Sequence, residues 1–170
     1  TFYQGLVRSV AWICGTTMNS WYSITPDGKH LALHAHIGLP KSWLDRVQHI
    51  PIARNSCPCG RAAHEKHVVV ADFDDPEWGD FRHSAESAGI ATTWAIPVFD
   101  DHHRLLGVYG IYHPRSNIYP NSEELSAIRN ITSQALKIIS QARTYIEKRA
   151  HHWLGTRTSG LFPETGIASF

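Results

Sequence analysis

The residues best suited to chemistry lie in the stretch NSCPCGRAAHEKH, Asn55 to His67. Cys57 and Cys59 are separated by one residue, and His64 and His67 follow. Thiolates and imidazoles are common zinc ligands, so these four residues could form one metal site, C-x-C-x4-H-x2-H. The spacing argues against it, because zinc sites usually place two to four residues between paired cysteines. Exposed histidines beside a buried thiol explain the same pattern. No C-x-x-C-H occurs, so haem has less support.

Two further histidines lie in a predicted β-strand. His34 and His36 alternate with apolar residues, which predicts that both imidazoles point to one face of the strand. At this spacing they could chelate a metal, line a wet cavity or face solvent. The sequence leaves these alternatives open.

Several aromatic residues and one arginine could contact a ligand. Trp78 and Arg82 in DPEWGDFR are four residues apart, a spacing that predicts one side of a helix. With Phe81 they could roof a ligand whose carboxylate or phosphate binds the guanidinium, or they could simply attach the helix to a sheet. Trp94 and Tyr109 each offer a ring to one face of a strand, where it lines a pocket or packs the core.

Composition limits the possible functions. The 170 residues, 42% of them hydrophobic, can bury one core. Lys and Arg number 16 against 15 Asp and Glu, so we expect neither nucleic acid nor an anionic membrane as partner. The sequence has no apolar run long enough to span a bilayer and no signal-peptide pattern at its start, which predicts a cytoplasmic protein. Its three cysteines are expected to be reduced thiols.

Periodicity predicts the elements that position these residues. A helix over 2–15 is followed by a hairpin turning at Pro26–Gly28, a strand at HVVVADF, a helix between Asp75 and Gly89, and a hairpin turning at Asp100–His103. A long helix begins after Asn121, with Glu124 completing a capping box, and is expected to end at Gly155. Its apolar seam could pair with a second copy of the chain. The fold class is α+β: an antiparallel sheet of five or six strands, with the terminal helices on one face and short helices covering a cavity on the other.

Residues 31–113 resemble a GAF domain, a PAS-related sensor module of bacterial signalling proteins. The segments that carry the resemblance are, in order, LALHAHIGLP, IPIARNSCPCGRAAHEKHVVVADF, DDPEWGDFR and AGIATTWAIPVFDDHHRLLGVYGIYH. The resemblance implies a non-catalytic sensory domain over 1–150 that binds a small molecule, with 151–170 as a linker to an output domain. The identity of ligand and cofactor stays unknown, since relatives bind cyclic nucleotides, small acids, tetrapyrroles or gases.

The resemblance also implies a position for the cysteines. Cys59 and Gly60 would open a short helix beside the cavity, where free backbone N–H groups face the ligand and favour a thiolate. In place of the family's Gly-Ser-Cys-Gly-Thr the chain has CPCGR, so only these two residues keep their places. The expected ligand-binding residues are Cys59, Gly60, His34, His36, Trp78, Phe81, Arg82, Trp94 and Tyr109.

Two further resemblances bear on function. Free methionine sulfoxide reductases are GAF proteins whose cysteine would align with Cys59, but they use another cysteine in the loop that reads DPEWGDFRHSAESAG here. That loop has none, so we expect no catalysis by this domain. The tail FPETGIASF resembles the start of GGDEF diguanylate cyclase domains, which suggests cyclic-di-GMP signalling. The apolar seams of the terminal helices separately favour a homodimer joined through those helices.

Overall fold

The structure is a computed structural model that describes residues 1–159, without the side chains of Glu77 and of 156–159. The chain divides into two compact units, Thr1–Ser133 and a second that begins at Gln134. The tail FPETGIASF lies outside the described residues.

In chain order the elements are α1 (Phe2–Cys14), β1 (Met18–Ile24), β2 (His30–Ile37), α2 (Lys41–Arg46), β3 (His49–Pro51), α3 (Pro58–Glu65), β4 (Val69–Asp72), a 3-10 helix (Pro76–Trp78), α4 (Phe81–Ser87), β5 (Thr92–Phe99), β6 (Leu105–His113) and α5 (Ser122–Ser159).

Local signals place the predicted helices. Thr1 caps α1 by accepting a hydrogen bond from the backbone N–H of Gln4. Before α5, the Asn121 side chain accepts from the Glu124 N–H at 2.8 Å, and the Glu124 carboxylate accepts from the Asn121 N–H at 3.3 Å. The predicted capping box is therefore confirmed.

The six strands form one antiparallel sheet in the order β3-β2-β1-β6-β5-β4, which confirms the predicted fold class. One side, here called the covered face, packs against α2, α3 and α4 and carries a large buried cluster that includes Tyr22, Leu31, Ala95, Val108 and Tyr112. The other side, here called the α1 face, carries α1 and the first turns of α5. Two elements, α2 and β3, were not predicted from the sequence.

The predicted helix between Asp75 and Gly89 is two helices. Gly79 adopts a left-handed φ of 52°, which ends the 3-10 helix before α4 begins at Phe81. Trp78 and Arg82 therefore lie on different helices, and the prediction that they share one helical side is wrong. The predicted end of the last helix is also wrong, because α5 continues through Gly155 to Ser159. An exposed glycine within a helix costs only about 1 kcal/mol relative to alanine.

A β-bulge in β2 separates the two strand histidines. Trp21 pairs with Ala35 and Tyr22 pairs with Leu33, so His34 is the extra residue. His34 contacts the Tyr3 ring of α1 and the hydroxyl of Ser23. His36 pairs with Ser20, whose side chain lies on the covered face. The prediction that both imidazoles share one face is therefore wrong.

None of the helices in the described part of the chain combines the length and apolar character needed to cross a bilayer.

Candidate functional site

The start of α3 is seated tightly on the sheet edge. Cys57 is the N-cap residue and Pro58 occupies the first helical position, where its missing N–H costs nothing. A Cβ added at Gly60 would overlap the Ser56 side chain and the Pro51 backbone carbonyl. Only glycine fits here, so the position of α3 depends on this residue.

Polar side chains form a hydrogen-bonded group in the middle of the covered face. The Tyr112 hydroxyl is 2.9 Å from the Ser20 hydroxyl and 2.9 Å from the Tyr22 hydroxyl. Gly110 lies beside them, and a Cβ there would overlap the Tyr112 hydroxyl. The Cys59 side chain, 2% exposed, belongs to the same buried cluster as Tyr22 and Tyr112. Three hydroxyls and a thiol thus share one interior beneath α3.

Aromatic rings close this interior from outside, and Trp43, Trp78 and Phe81 are here called the aromatic cover. The Trp43 ring centroid lies 6.4 Å from Trp78, 6.5 Å from Phe81 and 5.9 Å from Tyr112, each pair edge to face. Arg46 places its guanidinium 4.1 Å from the Phe81 ring centroid, a cation–π contact on the outer side of the cover.

Some buried polar atoms on this side of the sheet have no partner. Trp43 Nε1, Thr93 Oγ1 and His36 Nδ1 are buried without a hydrogen bond to any described residue. Thr93 pairs with Tyr112 across the β5–β6 ladder, which places it on the covered face. Buried polar groups are almost always satisfied, and an orphaned one costs about 1–3 kcal/mol. The interior therefore has a donor and a hydroxyl that a guest molecule could satisfy.

Burial keeps the cysteines protonated. Burial raises the pKa of Cys59 well above its usual value, and the neighbouring Cys57 adds to the rise, while the Tyr112 hydroxyl opposes it. Burial also raises the pKa of Cys57, although the N–H groups of Gly60 and Cys59 partly offset the effect. The expectation that the helix start favours a thiolate at Cys59 is wrong, because desolvation outweighs the helix terminus.

This predicts slow thiol chemistry in the native state. Cys57 and Cys59 are buried and protonated, and burial raises the pKa of Cys14 to about 11. Since the thiolate is the nucleophile, iodoacetamide at pH 8 should alkylate the folded domain at least about a hundredfold more slowly than a free cysteine peptide. Mass spectrometry would follow the labelling, with the urea-unfolded chain as control. Rapid labelling of native Cys59 would contradict this picture.

The predicted ligand-binding residues fall into two groups. Cys59, Gly60, Trp78, Phe81 and His36 lie on the covered face or its cover. Arg82 lies at the rim, where its guanidinium donates to the Asp75 carbonyl at 2.9 Å.

The second group lies on the α1 face and shares no cavity with Cys59. His34 packs against Tyr3, and Trp94 donates to the Ile118 carbonyl at 2.6 Å. The Tyr109 ring packs against the Trp21 ring at a tilt, with the ring centroids 4.9 Å apart.

Sequence reasoning missed Trp43, Ser20, Tyr22, Thr93 and Tyr112. The alternation of Tyr112 with Gly110 and Val108 in β6 could have identified Tyr112, because alternate strand residues share a face. No comparable signal marks Trp43, since its position depends on where α2 docks.

The structure does not assemble the four-ligand metal alternative. Cys57 and Cys59 are buried at the start of α3, whereas His64 and His67 are exposed near its end. Within residues 1–159, no three His, Cys, Asp or Glu side chains are grouped so that they could hold a metal ion.

A cleft of about 510 Å³ opens at the rim of the cover, lined by Arg54, Asn55, Pro76 and Gly79. Its walls are the loop that leads to Cys57 and the 3-10 helix that carries Trp78. The cleft thus lies next to the residues that close the interior.

Comparison with known proteins identifies the family of this architecture. The chain is 35% identical over 103 residues to the methyl sulfide methyltransferase-associated sensor of Methanosarcina acetivorans, a match that covers 59% of this chain and 10% of that protein. The chain therefore spans only a small part of that relative.

Solved structures share the fold at low identity. The GAF domain of PixJ from Thermosynechococcus elongatus, in its blue-light absorbing form, has a TM-score of 0.66 at 15% identity, covering 89% of this chain and 91% of that one. Free methionine-R-sulfoxide reductase from Neisseria meningitidis has a TM-score of 0.65 at 21% identity, covering 84% and 81%. The family model described as GAF domain matches residues 4–140. This chain belongs to the GAF domain family.

Proposed function

We propose that the chain is a sensory, non-catalytic domain that binds a compact small molecule between the covered face and the aromatic cover. The observation that carries the proposal is the unpartnered Trp43 Nε1–H, buried among aromatic rings and close to the Tyr112 ring. A molecule with a hydrogen-bond acceptor would satisfy this donor and bury its apolar part against the rings. The name of the archaeal relative, a sensor, supports the sensory role.

The electrostatics of the interior favour a neutral ligand. Burial raises the pKa values of Tyr22, Tyr112 and Cys59, so these groups are uncharged at neutral pH. The buried Arg61 guanidinium is 3.5 Å from the Asp75 carboxylate, which already balances its charge. An ionised ligand would lose its hydration without gaining a counter-charge from these groups. We therefore propose a small neutral molecule with an acceptor oxygen, such as an amide, ketone or sulfoxide.

The ligand class can be tested by thermal shift. Small neutral amides, ketones and sulfoxides should raise the melting temperature, whereas carboxylates and amines of matched size should not. Native mass spectrometry of gently purified protein would reveal a retained ligand. If only the carboxylates or amines raised the melting temperature, that result would contradict the proposal.

Trp43→Phe should separate binding from folding. The change removes the unpartnered donor but keeps an aromatic ring, so the free energy of unfolding should change by no more than about 1 kcal/mol. Affinity for a neutral ligand found by thermal shift should fall about tenfold, since one buried hydrogen bond is lost. Isothermal titration would measure it. Trp21→Phe, which loses a bond to the Ser23 hydroxyl on the α1 face, is the matched control and should leave affinity unchanged.

A reductase is the competing function, because a solved reductase shares the fold. The buried, protonated Cys59 and the absence of cysteine from the loop DPEWGDFRHSAESAG argue against it. Turnover of free methionine sulfoxide by the purified protein would support the reductase.

We also propose that the domain acts in the cytoplasm as a homodimer and signals through its terminal helices to an output domain, in a cyclic-di-GMP pathway. In the second unit α5 exposes Ile138 and Tyr145, seven residues apart, and Ile146 and Trp153, again seven apart. Two such helices could bury these residues in a coiled coil.

Aspartate on this stripe should weaken the dimer. Ile138→Asp and Ile146→Asp are each expected to raise the dimer dissociation constant at least about tenfold, because a charge would enter the apolar seam. Sedimentation equilibrium would measure it, with Ser140→Asp as a control at an exposed position on the other side of the same helix. A monomeric wild-type protein at high concentration would contradict the dimer.

A further inference from the structure

One carboxylate at the end of β4 holds the segment that leads into the last helix. Asp72 accepts hydrogen bonds from the Thr92 hydroxyl at 2.7 Å, the Asn117 N–H at 2.8 Å and the Tyr119 hydroxyl at 2.8 Å. Asn117 and Tyr119 belong to residues 114–121, here called the connector, which join β6 to α5. Hydrogen bonds to a charged acceptor are the stronger kind, so Asp72 is a principal anchor of the connector.

The backbone of the same residue holds the aromatic cover. The Asp72 carbonyl accepts a hydrogen bond from Trp78 Nε1 at 2.9 Å and one from the Asp75 N–H at 3.0 Å. These two bonds fix the turn that leads into the 3-10 helix. Asp72 therefore touches the cover through its main chain and the connector through its side chain.

Two other side chains hold the connector from the sheet. The Thr92 hydroxyl, already bonded to Asp72, also contacts the Arg115 carbonyl at 2.8 Å, and Trp94 donates to the Ile118 carbonyl. The connector is thus anchored to β5 and to Asp72, and Asp72 alone among these three anchors also bonds the cover. Asn117 has a left-handed φ of 59°, a conformation that its hydrogen bond to Asp72 helps to hold.

We propose that Asp72 is a positioning residue that couples the aromatic cover to the connector, so that displacement of Trp78 loosens the start of α5. This inference rests on the proposed function, in which a ligand enters beneath the cover. When Trp78 moves, its bond to the Asp72 carbonyl breaks, and the Asp75 N–H alone holds that carbonyl on the side of the cover. Asp72 can then shift, and its carboxylate shifts with it. The bonds to Asn117 and Tyr119 weaken as a result. Coupling of this kind is a free energy shared by two sites.

Amide hydrogen exchange on the whole chain tests the coupling without a ligand. Trp78→Phe removes the Nε1–H and keeps an aromatic ring, and it should speed exchange of the Asn117 amide at least about threefold. Asp72→Asn should speed it about tenfold, because the charged acceptor is lost. In the double variant, the Asn117 amide should exchange no faster than in Asp72→Asn alone, because both changes break the same series of hydrogen bonds between the cover and the connector. If the Asp72→Asn variant fails to fold, Tyr119→Phe can take its place in the single and double variants. It removes one hydrogen bond to the Asp72 carboxylate by changing an exposed side chain.

Asp100→Asn is the matched control. The Asp100 carboxylate also accepts three hydrogen bonds, from the N–H groups of His102 and Arg104 and from Arg104 Nε, but it lies in the β5–β6 turn. This change should leave Asn117 exchange unaltered. The coupling is overturned if Trp78→Phe leaves Asn117 exchange unchanged, or if the effects of Trp78→Phe and Asp72→Asn simply add. A failure to find any ligand would instead count against the proposed function and would not alter this result.

Discussion

Gly60→Ala is expected to lower the free energy of unfolding by about 3 kcal/mol. The added methyl group would overlap the Pro51 carbonyl and the Ser56 side chain. The carbonyl is part of β3 and cannot rotate away as a flexible side chain could. Relief therefore requires α3 to shift as a unit, which would pull Cys59 away from Tyr112.

Urea unfolding would measure the effect, and Gly5→Ala provides the control. Gly5 lies in α1, and a Cβ there would meet nothing within 4 Å. Alanine at that position should stabilise the domain by up to about 1 kcal/mol through helix propensity. Equal stability of Gly60→Ala and the wild type would mean that α3 does not sit on β3 as described.

Trp43→Ala is expected to cost about 3–5 kcal/mol, the range for removing a large buried aromatic side chain. Trp43 is 2% exposed, and its ring contacts Trp78, Phe81 and Tyr112. The substitution would open a cavity at the centre of the aromatic cover. Unlike Trp43→Phe, it removes the packing as well as the unpartnered donor.

Thermal unfolding and an apolar dye would report both consequences. The melting temperature should fall, and the dye should bind the native state of the variant if the cavity is open to solvent. Trp12→Ala is the control, because Trp12 is 88% exposed and its loss should change stability by no more than about 0.5 kcal/mol. An effect of Trp43→Ala as small as that of Trp12→Ala would contradict the packed cover.

Features set by neighbouring residues could be predicted from the sequence. The capping box at Asn121 and the turn at Asp100–His103 depend on side chains within four positions of each other, and both are observed. The two-sided sheet follows from the alternation of apolar residues in each strand. The order of the longer helices and strands was also accessible, because each has its own periodicity, whereas α2 and β3 are too short to show one.

Features set by tertiary contacts could not be predicted. Nothing local to Cys59 shows that Trp43 and Tyr112 close over it, so its protonation state was misjudged. The bulge at His34 depends on how β2 aligns with β1, and strand alternation assumes a regular ladder. The break at Gly79 was missed because a glycine within a helical pattern is often tolerated. The candidate site is therefore defined by packing that the sequence pattern does not encode locally.

The bulge in β2 has a consequence for length variation in this part of the chain. Because His34 has no partner across the ladder, deleting it would leave Leu33 opposite Tyr22 and Ala35 opposite Trp21 on a regular strand. Deleting Leu33 instead would place His34 opposite Tyr22, so the imidazole of His34 would point into the apolar interior. Burying that polar ring would destabilise the fold. Natural variants that are one residue shorter in this strand are therefore expected to lack the residue at position 34.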